Sequence, residues 1–338
     1  MGFYSENYRR IRGEYEGKYL RAREDADRRR AEAVRAIPTL RLVDAQLSEL
    51  GLELMRLSVE HAADNTAREA ALSALHQTND ELQARKATLL VEAGYPADYT
   101  ALRDECEACS DTGFLDNGKM CSCMRDKLIL AGYESSGLGA LLREQTFDNY
   151  SLEYFKTDER TWRAMQHAYH TMREYAEQFR GPQTASPSGS LLLMGGTGLG
   201  KTHLSTALAK TVLDAGYDVR YTEAVTLVGD FEMARFGNSG SAGDMGVTAD
   251  TARYFNCDLL IIDDLGTEVS NQFTVSSLYN VINTRLSMRR PTVISTNLMQ
   301  DELRRRYWDR ITSRLFGEYK VLLFLGADVR AQKMKAGK

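Results

Sequence analysis

The chain lacks any long run of apolar residues, and this absence excludes one class of protein. A helix that crosses a bilayer needs roughly 20 consecutive apolar residues, and no segment of the 338 residues approaches that length. The amino-terminal segment is charged at Arg9, Arg10 and Arg12, with no apolar stretch behind it, unlike a secretory signal. The sequence therefore predicts a cytoplasmic protein with no membrane partner.

Cysteine is scarce and unevenly distributed. Of the five cysteines, four form the pattern Cys106-x-x-Cys109 and Cys121-x-Cys123, with a glycine-containing segment between the pairs. Two close pairs of thiolates on a short hairpin can converge on one tetrahedral Zn²⁺ ion, and a cytoplasmic location favours metal over disulfides. Four sulfur ligands leave no position for a catalytic water. We therefore predict a structural zinc-binding module with four cysteine ligands in residues 101–130.

Charge of either sign is balanced overall but unbalanced locally. The net charge is −4, yet residues 304–338 contain ten Lys or Arg against three Asp or Glu. Residues 40–105 show the reverse, with six basic against twelve acidic residues. A basic segment in an acidic protein indicates contact with phosphates, and an ordinary solvated surface is the alternative.

Apolar periodicity predicts helices in the first hundred residues. Residues 1–36 are rich in Arg, Glu and Tyr without a clear apolar stripe, which indicates an exposed or partner-dependent helix ending before Pro38. From Leu40 to Leu57, apolar residues recur in steps of three and four, the signature of one helix face. A second stripe, seven residues apart, consists of Leu75, Leu82 and Leu89. Two such helices would bury their stripes in a hairpin, so we interpret residues 1–100 as a helical partner-binding region.

A glycine-rich loop behind an apolar strand is the most informative motif. The run Leu191 to Met194 is followed by Gly195-Gly196-Thr197-Gly198-Leu199-Gly200-Lys201-Thr202. Glycines let the backbone N–H groups of such a loop point at phosphates, and the following helix adds the partial positive charge of its N-terminus. In this motif the lysine reaches the β- and γ-phosphates and the Ser/Thr hydroxyl holds Mg²⁺. We predict a nucleoside triphosphate site formed by these eight residues and His203.

Two further apolar runs end in polar side chains. The run beginning at Leu259 delivers Asp263 and Asp264, and the run beginning at Thr292 delivers Asn297. We predict that Asp263 binds Mg²⁺ and that Asp264 polarises the water that attacks the γ-phosphate. The side-chain amide of Asn297 can hydrogen-bond that water or the γ-phosphate.

Short apolar strands and helices alternate after about residue 140, which is the pattern of a parallel α/β sheet. We predict one nucleotide-binding domain with a five-stranded parallel sheet in residues 131–338. Its expected strands are Leu191 to Met194, Asp218 to Thr222, Leu259 to Asp263, Thr292 to Thr296 and Val321 to Leu325. The chain ends soon after the fifth strand, so we expect no helical lid.

The phosphate loop, the sequence I-I-D-D-L-G, the sequence I-S-T-N and the segment D-R-I-T-S-R-L together resemble the AAA+ ATPases of the DnaC/DnaI/IstB group. The best match is the replicative helicase loader branch, over residues 140–338. The resemblance implies a P-loop AAA+ core in which Lys201 and Thr202 are nucleotide ligands, Asp263 is the metal ligand and Asn297 is the sensor.

The same resemblance assigns three arginines. Arg314 matches the arginine finger that acts on the nucleotide of the next subunit, with Arg310 one helical turn earlier as a supporting residue. Arg330 resembles the family's arginine near the phosphates. Residues 146–150 resemble the segment that covers the adenine. One departure concerns Asp264, where many AAA+ proteins have Glu; Glu268 is the candidate substitute.

The family resemblance implies an ATP-dependent loader of the replicative DNA helicase, acting in the initiation of DNA replication. It would use ATP, Mg²⁺ and structural Zn²⁺, bind single-stranded DNA and assemble as an ATP-bridged oligomer. The alternative within the group is an IstB-type transposition helper ATPase. A metabolic P-loop kinase is disfavoured because the sequence shows no acceptor pocket or general base for a small molecule. An adaptor with negligible turnover stays open because of Asp264.

Overall fold

A computed structural model describes residues 4–59, 65–181, 189–236 and 249–335. The chain divides into two compact units. We call residues 12–123 the helical unit, and residues 1–11 with 124–338 the sheet unit. Within the described ranges, no helix has the length and apolar character needed to cross a bilayer.

The helices are α1 (Ser5–Ala36), α2 (Leu40–Val59), α3 (Asn65–Glu92), α4 (Ser122–Ser135), α5 (Leu141–Glu144), α6 (Glu159–Glu177), α7 (Lys201–Asp214), α8 (Ala224–Phe236), α9 (Ala249–Asn256), α10 (Gln272–Ser287), α11 (Gln300–Glu318) and α12 (Val329–Lys335). The strands are β1 (Ser190–Gly195), β2 (Val219–Glu223), β3 (Leu259–Leu265), β4 (Thr292–Thr296) and β5 (Tyr319–Phe324). A short 3₁₀ turn covers Glu153–Phe155.

The helical unit has a small apolar core where residues of α1, α2 and α3 meet. Its buried members are Ala33, Ile37, Leu40 and Leu90. Helices α2 and α3 pack against each other, as their leucine periodicity predicts. Helix α1 also has a buried face, which the sequence analysis did not find: Tyr15, Ala26 and Ala33 are buried at intervals of eleven and seven residues. Alanine and tyrosine among many arginines do not form a recognisable aliphatic stripe.

A buried carboxylate joins the three helices of this unit. Asp44 on α2 is only 5% exposed and forms ion pairs with Arg30 at 2.7 Å and Lys86 at 3.0 Å. A charge removed from water needs such partners, because its hydration is lost. The contacts of α2 with α1 and α3 therefore depend partly on charge pairing and not only on apolar packing.

The sheet unit contains one parallel sheet with strand order β2-β3-β4-β1-β5. This confirms the predicted five-stranded parallel α/β fold, and each predicted strand end lies within two residues of the observed end. Leu191 and Leu193 pack on one face, whereas Leu192 and Met194 pack on the other. Because helices cover both faces, β1 is a continuous apolar run instead of an alternating one. After β5, the described part of the chain contains only α12.

The strand register brings the predicted site residues to one edge of the sheet. Met194 of β1 pairs with Thr296 of β4, so the phosphate loop and Asn297 follow from adjacent positions. Between β3 and β4 the register shifts from Ile262 to Leu265, which marks an irregularity of the bulge type. Ligands of open parallel sheets bind at this carboxyl edge.

Candidate nucleotide site and cysteine cluster

A cavity of about 490 Å³ lies at the carboxyl edge of the sheet. It is lined by the phosphate loop and by residues from four other segments of the sheet unit. Among the predicted site residues, those that line it are Thr197, Gly198, Leu199, Gly200, Lys201, Thr202, His203, Asp264, Asn297 and Arg330. The structure thus brings together residues that are widely separated in the chain.

The loop needs glycine at two positions for conformational and steric reasons. Gly198 and Gly200 have φ angles of 70° and 84°, in the left-handed region. A Cβ atom at Gly200 would lie 2.6 Å from the ring of Tyr150, and one at Gly198 would lie 2.0 Å from the carboxylate of Asp328. A side chain at either position would be strained by the positive φ angle and would clash with Tyr150 or Asp328, so the curvature of the loop favours glycine.

Lys201 is fixed at the centre of the loop. Its side chain is 5% exposed, and Nζ donates to the carbonyl oxygens of Gly195 and Gly196 at 2.7 Å and to Oδ1 of Asn297 at 2.8 Å. Burial lowers the pKa of Lys201 below its usual range, while the charges of Asp264 and Asp263 act in the opposite direction. The ammonium group is therefore held where the loop motif places the β- and γ-phosphates.

Asp263 is buried and receives three hydroxyl donors. Its carboxylate accepts from Thr202 Oγ1 at 2.8 Å and from the hydroxyls of Tyr221 and Ser295. Burial and the charge of Asp263 raise the pKa of Tyr221, so that the phenol stays protonated and donating. The joined oxygens of Thr202 and Asp263 are hard ligands of the kind Mg²⁺ prefers, and they fit that ion.

Neither Tyr221 nor Ser295 is predicted as a site residue from the sequence. Tyr221 lies on β2 and Ser295 on β4, the two strands that flank β3 in the sheet. Ser295 has a weak sequence signal, because it interrupts the apolar run that ends β4. Tyr221 has none, since an aromatic residue in a strand is ordinary.

Asp264 has an unusual backbone conformation and faces the cavity. Its φ angle is 53°, its N–H donates to Ser295 Oγ at 2.9 Å, and its Oδ1 accepts from Asn297 Nδ2 at 3.2 Å. Burial raises the pKa of Asp264, and the neighbouring charge of Asp263 adds to this effect. A carboxylate with a raised pKa is a stronger base than an exposed one.

Glu268, the alternative carboxylate, has other partners. It is 2% exposed, and its oxygens accept from the Gly266 N–H at 2.9 Å and from the Tyr307 hydroxyl. Arg306 lies 3.7 Å from the same carboxylate. Glu268 is not among the described residues that line the nucleotide cavity, so Asp264 is the better placed of the two carboxylates.

The three predicted arginines occupy two different regions. Arg330 lines the nucleotide cavity together with Lys333, which the sequence analysis noted only as part of the basic segment. Arg314 lines a separate cavity; its Nε donates to Asn283 Oδ1 at 2.9 Å, and its guanidinium lies 4.7 Å from the Tyr279 ring centroid. Arg310 is exposed, and its carbonyl oxygen accepts from Arg314.

Aromatic side chains line another part of the nucleotide cavity. Tyr150, Tyr154 and Phe155 contribute to its wall, and the ring of Tyr150 lies edge-on to His203 at 5.2 Å between centroids. His203 Nε2 is 2.9 Å from the carbonyl oxygen of Thr146. Burial lowers the pKa of His203, so the neutral imidazole donates this hydrogen bond near neutral pH.

The four clustered cysteines converge within the helical unit. The sulfur atoms of Cys106 and Cys121 are 3.8 Å apart, those of Cys109 and Cys123 are 3.6 Å apart, and all four lie within 4.8 Å of one another. A tetrahedral Zn²⁺ ion with Zn–S bonds of about 2.3 Å requires sulfur separations of about 3.8 Å. The donor set therefore fits Zn²⁺.

The turn that carries the first pair is stabilised by a carboxylate. Asp111 has a φ angle of 55° and accepts hydrogen bonds from the backbone N–H groups of Glu105, at 2.7 Å, and Cys106, at 3.1 Å. These bonds orient the segment that begins the cluster. Phe114 and Met120 form an antiparallel bridge that closes the hairpin between the two cysteine pairs.

Comparison with known proteins finds relatives of this chain, and the family match lies within the sheet unit. Residues 177–314 match the family model of the IstB-like ATP binding protein. Over 183 residues the chain is 25% identical to the replicative helicase loader DnaC of Escherichia coli strain K12, covering 54% of this chain and 67% of that protein. It is 27% identical over 241 residues to the phage-like element PBSX protein XkdC of Bacillus subtilis strain 168, covering 66% and 82%.

Among solved structures, the crystal structure of the DnaC helicase loader superposes with a TM-score of 0.43 and 20% identity, covering 55% of this chain and 99% of that one. The predicted resemblance to the DnaC/DnaI/IstB group is confirmed by the family match and the related sequences. The matched family consists of ATP-binding proteins, and the relatives include a protein of DNA replication.

Proposed function

We propose that this chain is an ATP-dependent loader of the replicative DNA helicase that acts in the initiation of DNA replication. The observation that carries the proposal is the assembly of Lys201, Thr202, Asp263 and Asn297 at one sheet edge, in a chain related to a helicase loader. In this proposal residues 1–100 hold the partner, residues 101–130 hold Zn²⁺ and residues 131–338 form the ATPase.

The site supports binding of ATP with Mg²⁺ and its hydrolysis. Lys201 and the loop amides would bind the phosphates, and Thr202 with Asp263 would hold Mg²⁺. The bound metal ion would neutralise charge that develops on the phosphate oxygens. Asp264, bonded to Asn297 and facing the cavity, is the proposed base for the attacking water, and Asn297 would position that water.

The position of Arg314 is consistent with a proposed assembly of several copies of the chain. It lies apart from the nucleotide cavity of its own chain and lines a different one. An arginine that stabilises charge on a transferring phosphate must come within hydrogen-bonding distance of it. Arg314 would therefore act on the nucleotide of a neighbouring subunit, supported by Arg310, which makes hydrolysis dependent on assembly.

A basic segment with an exposed aromatic ring supports binding of single-stranded DNA. Arg304 and Arg305 are exposed on α11, and Trp308 is 57% exposed. Trp308 has φ 56° and ψ 174°, a conformation that costs of order 1–3 kcal/mol for a residue other than glycine. Guanidinium groups bind the phosphate backbone and aromatic rings stack on bases, which together characterise single-strand sites.

Tryptophan fluorescence tests this DNA site directly. The chain has two tryptophans, Trp162 and Trp308, so a Trp162→Phe variant leaves Trp308 as the reporter. We expect an oligonucleotide to quench Trp308 and the apparent affinity to fall steeply with added salt. Charge reversal by Arg304→Glu should weaken binding, whereas Arg160→Glu on α6 serves as a matched control on another exposed arginine.

The loader function is tested by mixing the protein with the replicative helicase from the same genome. We expect a stable complex by light scattering in the presence of ATP, and its release or weakening with ADP. No complex in either nucleotide state would contradict the proposal.

The alternative is an IstB-type transposition helper, which the family match over residues 177–314 supports. It predicts assembly on duplex DNA and contact with a transposase in place of the helicase. Comparing binding to single-stranded and duplex oligonucleotides of equal length separates the two functions.

A further inference from the structure

A buried carboxylate in the loop after β3 has no part in the reaction proposed above. Glu268 is 2% exposed, and its two side-chain oxygens accept hydrogen bonds from different elements. Oε2 accepts from the N–H of Gly266 at 2.9 Å, and Oε1 accepts from the hydroxyl of Tyr307 on α11. The backbone carbonyl oxygen of Glu268 also accepts from the guanidinium group of Arg306. One residue therefore joins the loop after β3 to α11.

The Gly266 end of this link belongs to the turn that carries Asp264. The N–H of Thr267, at 3.2 Å, and its hydroxyl, at 2.9 Å, both donate to the carbonyl oxygen of Asp264. Asp264 has a φ angle of 53°, and a residue other than glycine keeps such a conformation only where its surroundings impose it. The bond from Gly266 to Glu268 is one of the contacts that fix this turn. It therefore helps to set the direction of the proposed base.

The Tyr307 end of the link lies beside the non-helical residue of α11. Trp308 has φ 56° and ψ 174° and is 57% exposed. Tyr307, the residue before it, is 0% exposed and packs in the apolar cluster on one face of the sheet. Neighbouring residues thus present one ring to solvent and one to the core. A change of the backbone at Trp308 would move the Tyr307 hydroxyl, because one peptide bond joins the two residues.

We propose that Glu268 is a positioning residue through which α11 sets the direction of the Asp264 carboxylate. DNA bound at Trp308 would shift Tyr307, and Glu268 would pass the shift to the turn that follows Asp264. Hydrogen bonds to a carboxylate are shorter and stronger than those between neutral groups, so they transmit such a movement well. A small displacement of a catalytic group is enough to change a rate. This inference rests on the ATPase and DNA-binding functions proposed above.

The first test compares two buried tyrosines that donate to carboxylates. Tyr307→Phe removes the hydroxyl that binds Glu268 and keeps the ring. Tyr254→Phe is the matched control, because Tyr254 is also 0% exposed in the same apolar cluster but donates to Asp230. We expect kcat for ATP hydrolysis to fall about tenfold in Tyr307→Phe with KM unchanged, since a misplaced base slows the chemical step and not binding. Equal kcat values in the two variants would overturn the proposal.

The second test measures the response of turnover to DNA. An oligonucleotide of thymidines should change the kcat of the wild-type protein. This response should disappear in Tyr307→Phe and in Glu268→Ala, although fluorescence anisotropy shows that both variants still bind the oligonucleotide. Glu268→Gln keeps a side-chain oxygen that can accept one of the two hydrogen bonds, so it should retain part of the response. A full response in Glu268→Ala would overturn the proposal.

The outcomes separate the role of Glu268 from the functions on which it rests. If the wild-type protein hydrolyses no ATP or binds no single-stranded DNA, the proposed function is wrong, and the role of Glu268 with it. If it does both but DNA leaves kcat unchanged, only the role of Glu268 is wrong. If Tyr307→Phe lowers the unfolding temperature and the ATP affinity more than Tyr254→Phe does, Tyr307 is merely structural, and the proposal is overturned.

Discussion

The two units each carry a candidate metal site, and the sites are built in opposite ways. In the helical unit, four sulfur ligands come from one short segment, Cys106 to Cys123, joined by a hairpin. In the sheet unit, the oxygens of Thr202 and Asp263 come from residues 61 positions apart, and the apolar sheet brings them together. Metal binding at the first site would stabilise the fold of its own segment. The second site depends on a sheet that folds independently of the metal.

Removal of zinc is expected to have the largest effect, and to affect only the helical unit. Binding of a structural Zn²⁺ ion is worth roughly 10–16 kcal/mol in small zinc modules. A strong chelator should therefore unfold the segment around the cysteines, and Cys109→Ser should do the same. Hydrogen exchange measured by mass spectrometry should show lost protection in residues 101–123, with the strands β1 to β5 unchanged. Loss of protection in both units together would contradict the contrast between the two sites.

Replacement of Asp264 tests the catalytic side of the oxygen site. A positioned general base contributes about 10²–10⁴-fold to a rate, so Asp264→Asn should reduce turnover by that order while retaining ATP binding. Burial raises the pKa of Asp264, and the base is active when deprotonated. Turnover should therefore fall on acidification at a higher pH than for an ordinary aspartate. Phosphate release against pH measures this, and an unchanged rate in Asp264→Asn would favour another base.

The next effect concerns nucleotide affinity. Lys201→Ala removes an ammonium group from the centre of the loop, and charge-assisted bonds to phosphate contribute about 1.5–3 kcal/mol each. We expect affinity for ATP to fall about 100-fold, measured by calorimetry. Lys210→Ala on the same helix, α7, is the matched control, because Lys210 pairs with Asp214 instead. If the two variants lost affinity equally, the central role of Lys201 would be refuted.

The smallest expected effect concerns Tyr221, which donates to a proposed Mg²⁺ ligand. Tyr221→Phe removes one of three hydroxyl donors to Asp263, worth about 1 kcal/mol. The Mg²⁺ concentration needed for half-maximal ATP binding should rise about fivefold. The fold should change little because the ring is kept. Phe231→Leu, a change in an aromatic ring of the apolar cluster on one sheet face, provides a control for altered packing. A Mg²⁺ requirement that does not move would show that Tyr221 only fills space.

The same contrast explains what the sequence could predict. The cysteines and the phosphate loop are local patterns, so their spacing alone predicts their chemistry. Tyr221 and Ser295 reach Asp263 only because β2 and β4 flank β3, and strand order cannot be read from residue spacing. The backbone of α11 is also non-helical at Trp308, and no glycine or proline at that position predicts it.

The register shift before Leu265 affects where the side chains of Asp263 and Asp264 lie relative to the nucleotide cavity. In a regular strand, successive side chains point to opposite faces, so adjacent aspartates would be divided between the two sides of the sheet. The shift and the left-handed backbone of Asp264 break this parity. Asp263 can then stay beside Thr202 while Asp264 faces the cavity. Only Asp263 and Asp264 lie between Ile262 and Leu265, so a deletion that restored the regular register would remove one of the two carboxylates.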